Sequence, residues 1–254
     1  MAESAAAELP QFYSELQALN RQQHKALRKR ARTNFSFAAD SNAVPVSLAE
    51  FVPASRDYPL VFAGSGEGVH TVAVLGVLNN ENLLVSADGY WEADRYIPAY
   101  IRRYPFILAK AEKAGELTVC IDRSNQEFDA DEGQPLFNED GSDSEFLGNM
   151  LTFLNRYQTD LETMRQFAAA LDAAGLLEEV SADITLKLGA KYRLQGLRIV
   201  SRKRLLALDE KQCKQWLDNG YLEHIHLHLA SLSNFASTID RLGGRHPEPP
   251  TPPE

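Results

Sequence analysis

His224, His226 and His228 stand at alternate positions and are the one constellation in this sequence that resembles a metal site. On a strand all three would share a face. The flanking residues Ile225, Leu229, Leu232, Phe235, Ala236 and Ile239 instead repeat at helical spacing, and at about 100° per residue His226 turns away from the other two. His224 and His228 remain neighbours one turn apart, the spacing that zinc-binding helices use. Such helices carry a Glu directly after the first His to act as base, and here Ile225 occupies that place. His228 falls on the apolar stripe, where an imidazole bonded to a backbone carbonyl is common. Two readings follow: structural histidines, or a metal-dependent enzyme acting on a peptide or small molecule through His224, His228 and a third ligand that the sequence does not reveal. No residue is assigned as catalytic, and no metal or cofactor is expected.

The second chemical cluster lies between Leu83 and Ala109, where Trp91, Tyr96, Tyr100, Arg102, Arg103 and Tyr104 fall close together. Guanidinium groups in such a setting stack on rings or clamp a carboxylate at two points. The residue mix is that of an interface anchor, so these six are the predicted binding residues for a peptide or protein partner. The alternative is an aromatic corner of the core. Asp88-Gly89 marks a tight turn, Pro98 suits the first turn of a short helix and Pro105 stops it. In such a helix Ile97, Ile101 and Tyr104 form the inner face. Arg103 then points outward, and Arg102 lies at the edge in a structural ion pair.

Other signals lead to no chemistry. Gly64-Ser65-Gly66-Glu67-Gly68 lacks the Gly-Lys-Ser/Thr ending of a phosphate loop and fits a hairpin turn. Residues 122–145 hold nine acids against Arg123 alone. They read as a surface loop without the closing bidentate Glu that calcium loops require. Cys120 and Cys213 show no CxxC spacing and read as free thiols of a cytoplasmic protein.

Elements able to position these groups follow from periodicity. Residues 10–32 read as a helix with a partial stripe of Leu16, Leu19 and Leu27, part of which would also suit a strand. Its basic end, Arg21 to Arg32, is stabilised by the helix dipole. Short apolar runs at 44–46, 60–63, 71–77 and 117–121 read as strands, with a helix around Lys110–Lys113. A long helix from about Asp143 to Ala174 carries Met150, Leu154, Tyr157, Leu161, Met164, Ala168 and Leu171 as one seam, closed by Gly175. A hairpin over 184–200 with Gly189 in its turn, a short helix at 209–218 and a final helix from Tyr221 to Leu242 complete the chain. The fold class is α+β, a β-rich N-terminal half and a helical C-terminal half sharing one core: a single domain over residues 1–242, then a disordered Pro-rich tail over 243–254. The net charge of −9 over 254 residues argues against nucleic-acid binding. No apolar run is long enough to span a bilayer, and the start lacks the features of a secretory signal.

Several segments together resemble the SapC family of bacterial proteins, named for a component associated with a surface layer. They are Asn42-Ala43-Val44-Pro45, Tyr58-Pro59-Leu60-Val61-Phe62, Leu75-Gly76-Val77, Glu81-Asn82-Leu83-Leu84-Val85 and Asp88-Gly89-Tyr90-Trp91. The run Tyr96-Ile97-Pro98-Ala99-Tyr100-Ile101-Arg102-Arg103-Tyr104-Pro105-Phe106 is the most specific. Leu194-Gln195-Gly196-Leu197 and His228-Leu229-Ala230-Ser231-Leu232-Ser233-Asn234 follow near the end. The resemblance implies a link to the cell surface or to peptide uptake and supplies no catalytic residues. The resulting expectation is a non-catalytic accessory protein that docks a peptide or carboxylate-bearing partner.

Overall fold

The computed structural model describes residues 9–110, 117–185 and 191–246. The first part of the chain forms β1 (Leu16–Ala18), β2 (Arg28–Lys29), β3 (Ala43–Pro45), α1 (Phe51–Asp57), β4 (Leu60–Ala63) and β5 (His70–Val74). Then come α2 (Ala99–Arg102), β6 (Phe106–Lys110), β7 (Leu117–Asp122), β8 (Phe128–Asp129), β9 (Gln134–Pro135) and α3 (Glu145–Ala173). The last part holds β10 (Leu177–Thr185), β11 (Lys191–Val200), α4 (Arg202–Leu205), α5 (Glu210–Asp218), α6 (Tyr221–Ser231) and α7 (Phe235–Arg245). With 38% helix and 24% strand the fold is α+β. Contacts divide the chain into two units, one of residues up to Thr33 with Arg102–Gln158, the other of Asn34–Ile101 with the residues from Thr159 onward.

The first unit has two small antiparallel sheets, ordered β1-β7-β6 and β8-β2-β9. Phe106, Ile121, Leu136, Phe137, Leu147 and Leu154 form its buried cluster. The helix expected over residues 10–32 is corrected here. Leu16 pairs with Asp122 in β1–β7, and Arg28 and Lys29 pair with both β8 and β9. Three leucines do not make a continuous helical stripe, so long-range strand pairing wins over local propensity.

The basic run therefore has a different explanation from a helix dipole. Lys29 Nζ lies 2.5 Å and Arg32 3.0 Å from the Glu127 carboxylate, Arg30 lies 3.8 Å from Asp129, and Arg21 lies 3.0 Å from Asp143. The acids of residues 122–145 are its counter-charges. Burial pushes the Glu127 carboxyl up, but the hydrogen bonds from Arg32 and Lys29 outweigh it and hold it below the ordinary range. The acidic stretch is also more than a surface loop, since it contains β8, β9 and the buried Leu136 and Phe137. Asp122, fully buried, accepts hydrogen bonds from the Ser14, Glu15 and Ser124 amides and so pins the N-terminal segment to the end of β7.

The second unit is built on a five-stranded antiparallel sheet, order β10-β11-β4-β5-β3. Residues 64–68 are the expected connection of the β4–β5 hairpin, with Gly64 at φ 79°. The β10–β11 hairpin begins at Leu177, seven residues before the position its sequence suggests. Glu178 and Glu179 break the apolar pattern there, yet both pair with β11. Residues 186–190, including Gly189, lie outside the described residues, as do residues 111–116 of the expected Lys110–Lys113 helix, whose Lys110 ends β6.

α3 gives its first half to one unit and the rest, from Thr159, to the other. Leu154, Tyr157, Met164, Ala168 and Leu171 of the seam are buried, joined by Leu147 and Phe167. Beyond Gly175, at φ 65°, the Leu176 amide closes the helix onto the Leu171 carbonyl at 3.0 Å. The final helical region is α6 and α7 in succession. α7 continues past Leu242 to Arg245, which donates to the carbonyls of Asn82, Leu83 and Val85. Residues 247–254 of the expected tail are outside the described residues.

Candidate functional site

α6 presents its histidines in three environments. His226 is exposed and bonds back to the Leu222 carbonyl at 2.6 Å. His224 bonds to the Gly220 carbonyl at 2.8 Å and meets Phe51 edge-on at 5.4 Å. His228 is fully buried. Its Nε2 accepts the Val200 amide at 3.0 Å, which leaves the proton on Nδ1 to be donated to the Leu60 carbonyl at 2.7 Å. Burial lowers its pKa to about 4, against the opposing hydrogen bond to Leu60. With both ring nitrogens engaged, His228 has no lone pair to offer a metal. Among the described residues no three His, Cys, Asp or Glu side chains come together as a metal site.

His228 belongs to a larger grip on β4. Ser231 Oγ accepts the Leu60 amide at 2.9 Å and donates to the His228 carbonyl at 2.6 Å. The Asn234 amide donates to the carbonyls of Ser55 and Tyr58 at 2.8 and 3.1 Å. His228, Ser231 and Asn234, spaced by three, thus fasten one helical edge to the α1–β4 connection.

The six predicted binding residues fall to both units, Trp91, Tyr96 and Tyr100 to the second and Arg102, Arg103 and Tyr104 to the first. Trp91, Tyr100, Arg103 and Tyr104 are buried, Tyr96 is half-buried and Arg102 is exposed. The expected phase of the arginine pair is reversed. α2 ends at Arg102, so Arg103 lies beyond it in the following turn, where helical phase no longer sets its direction. Its guanidinium sits 5.8 Å from the Tyr13 ring centre and 5.4 Å from that of Tyr157. Arg102 lies over Phe153 at 5.3 Å.

In the second unit, Glu50 orders Tyr96 and the start of α2. Only 4% exposed, its carboxylate accepts Tyr96 Oη at 3.0 Å, the Ala99 amide at 2.6 Å and the Ser47 amide and hydroxyl at 2.9 and 3.0 Å. Asp57 accepts the Tyr96 amide at 2.8 Å. Gly89, at φ 83°, forms the expected tight turn, and a side chain there would collide with Asn34 and Ser36.

The family model for SapC matches residues 19–237. The chain belongs to the SapC family. No curated protein and no solved structure matches it. The segments that carried the SapC resemblance include the His228-Ser231-Asn234 grip and the Tyr96–Ala99 segment held by Glu50, so in this chain they hold together the second unit.

Two surface depressions lie in the first unit. One depression of about 430 Å³ is lined by Gln134, Asn138, Phe146 and Asn149 among others. A second, of about 410 Å³, has Phe137 in its wall and Lys25 and Arg28 at its side. Pro135 and Asn138 line both, so the two adjoin. Ser144 sets their geometry: its hydroxyl donates to the Pro135 carbonyl at 2.6 Å and accepts the Leu147 amide at 3.1 Å, capping α3. Phe153, under Arg102, lies one turn along α3 from Asn149. Lys25 was read only as part of the basic run and Asn149 gave no signal in the sequence, because a groove made of β9, a turn and a helix start has no periodicity of its own.

Proposed function

We propose that this SapC protein is a non-catalytic binding or accessory protein of the cytoplasm, serving the surface layer or peptide uptake, and that it docks an extended peptide bearing carboxylates. The observation that carries this reading is the pair of adjoining depressions in the first unit. Each has a volume within the range of small-ligand sites. Lys25 and Arg28 line one depression together with Glu139, Glu145 lines the other, and Arg102 lies over Phe153, one helical turn from the lining residue Asn149. The amide side chains of Gln134 and Asn149 match the donors and acceptors of a peptide backbone, and Pro135 and Phe146 offer apolar contact. Free Cys120 and Cys213 suit a reducing compartment. Among the described residues no helix is long and apolar enough to cross a membrane.

The test is binding to an array of extended peptides that pair acidic with aromatic residues, compared with the same peptides carrying Lys for Glu. Acidic peptides should bind the chain, and Lys25→Glu with Arg102→Glu should weaken them roughly tenfold, the effect of losing two favourable charge contacts. Equal binding of acidic and basic peptides, or indifference to both substitutions, would rule the proposal out.

A further inference from the structure

Leu206 is 88% exposed, the most exposed large apolar side chain among the described residues. It sits at the end of α4, one turn after Arg202, and its amide bonds to the Arg202 carbonyl at 3.1 Å. Arg202, Lys203 and Ala207 are exposed beside it. From Ser201 to Leu208 the chain carries three cations and no acid, although its net charge is −9. Arg204 is occupied, donating to the carbonyls of Gly175 and Leu177 at 2.9 and 3.2 Å. That contact ties the short helix to the root of β10 and leaves Arg202, Lys203 and Leu206 displayed on a fixed support. Farther on, α5 buries Trp216 but leaves Leu217 63% exposed.

We infer that this turn is a contact point for an anionic lipid bilayer. A lone protruding leucine fits a protein partner only where that partner offers a matching pocket. A bilayer accepts it without one, as the acyl region takes the side chain while adjacent cations meet headgroup phosphates. Arg202 and Lys203, before Leu206, have the sign this requires, and the acids Asp209 and Glu210 follow only after Leu208. With one apolar side chain and two displayed cations, the attachment is weak and reversible, and it depends on anionic lipid to overcome repulsion by the acidic remainder of the chain. This turn belongs to the second unit and shares no residue with the depressions of the first.

The experiment is co-sedimentation of the full chain with phosphatidylcholine vesicles, with and without phosphatidylglycerol, at low and high salt. The chain should sediment with the anionic vesicles only, and high salt should release it. Arg202→Glu with Lys203→Glu should weaken sedimentation roughly tenfold or more. Leu206→Glu should weaken it too while leaving the unfolding curve unchanged. A Leu206→Trp variant should shift its fluorescence to the blue on anionic vesicles, whereas Lys25→Glu should sediment as the parent does. The inference is overturned by equal sedimentation on phosphatidylcholine alone, by no sedimentation, or by variants that behave as the parent. Binding to polyglutamate but not to vesicles would also overturn it, assigning the turn to an acidic protein partner.

Discussion

Leu60 and Val200 are opposite one another in register, two residues beyond the Arg198–Phe62 pair that joins β11 to β4, and the imidazole of His228 is inserted between them. The ring replaces a direct ladder bond, donating to Leu60 at 2.7 Å and accepting from Val200 at 3.0 Å. Among the described residues Arg198–Phe62 is the one ladder pair between β11 and β4, so this side chain reinforces the central junction of the five-stranded sheet.

His228→Ala should lower unfolding stability by about 3–5 kcal/mol, combining a cavity with a buried carbonyl and amide left unsatisfied. Urea unfolding measures it, and a change below about 1 kcal/mol would show that the junction does not depend on the ring.

The same residue gives a pH dependence of known sign. Its pKa falls from 6.5 to about 4 on folding, so the unfolded chain takes up a proton that the folded chain refuses. Its contribution is complete above pH 6.5 and is lost as pH falls toward about 4, amounting to about 3 kcal/mol. Comparing the parent with His228→Gln across that window isolates the effect, since the carboxylates common to both cancel. Parallel stability profiles would contradict it.

Arg103→Ala should cost about 2–3 kcal/mol, because a buried guanidinium between Tyr13 and Tyr157 loses its ring contacts and leaves a void. Arg102→Ala should stay within about 1 kcal/mol, as expected for an exposed cation on a half-buried ring. Thermal unfolding of the two variants decides the order, and the reverse order would contradict the packing described.

Glu50→Gln should destabilise by about 2–4 kcal/mol. An amide nitrogen would replace one oxygen of a buried carboxylate that faces only donors, from Ser47, Tyr96 and Ala99. Tyr96→Phe removes one of these bonds and should cost about 1 kcal/mol. Denaturant midpoints of the two variants test both values, and equal losses would mean that Glu50 is not the organising group.

Periodic elements were legible before the structure. The α3 seam with its Gly175 stop, the β4–β5 hairpin and the α5 boundaries follow from patterns that depend on near neighbours. The strands within residues 10–32 were not, because their partners lie about a hundred residues away and a three-residue strand has too few side chains to show alternation. The same separation hid the pairing of Lys29 and Arg32 with Glu127, two runs that looked unrelated along the chain. Arg102 and Arg103 were assigned in reverse because helical phase was extended one residue past the helix end. His228 could be placed on an apolar face, but its bridge between Leu60 and Val200 depends on sheet register. The groove was hidden for a similar reason, as its walls come from three separated segments.

Hydrogen exchange of the chain with and without a glutamate-rich peptide that carries an aromatic residue tests the binding proposal most directly. The account predicts slowed exchange from Gln134 to Asn149 and along the next turn of α3 to Phe153, with the Tyr96–Ala99 amides and α6 unchanged. Unchanged exchange throughout, or protection confined to Tyr96–Ala99, would contradict it.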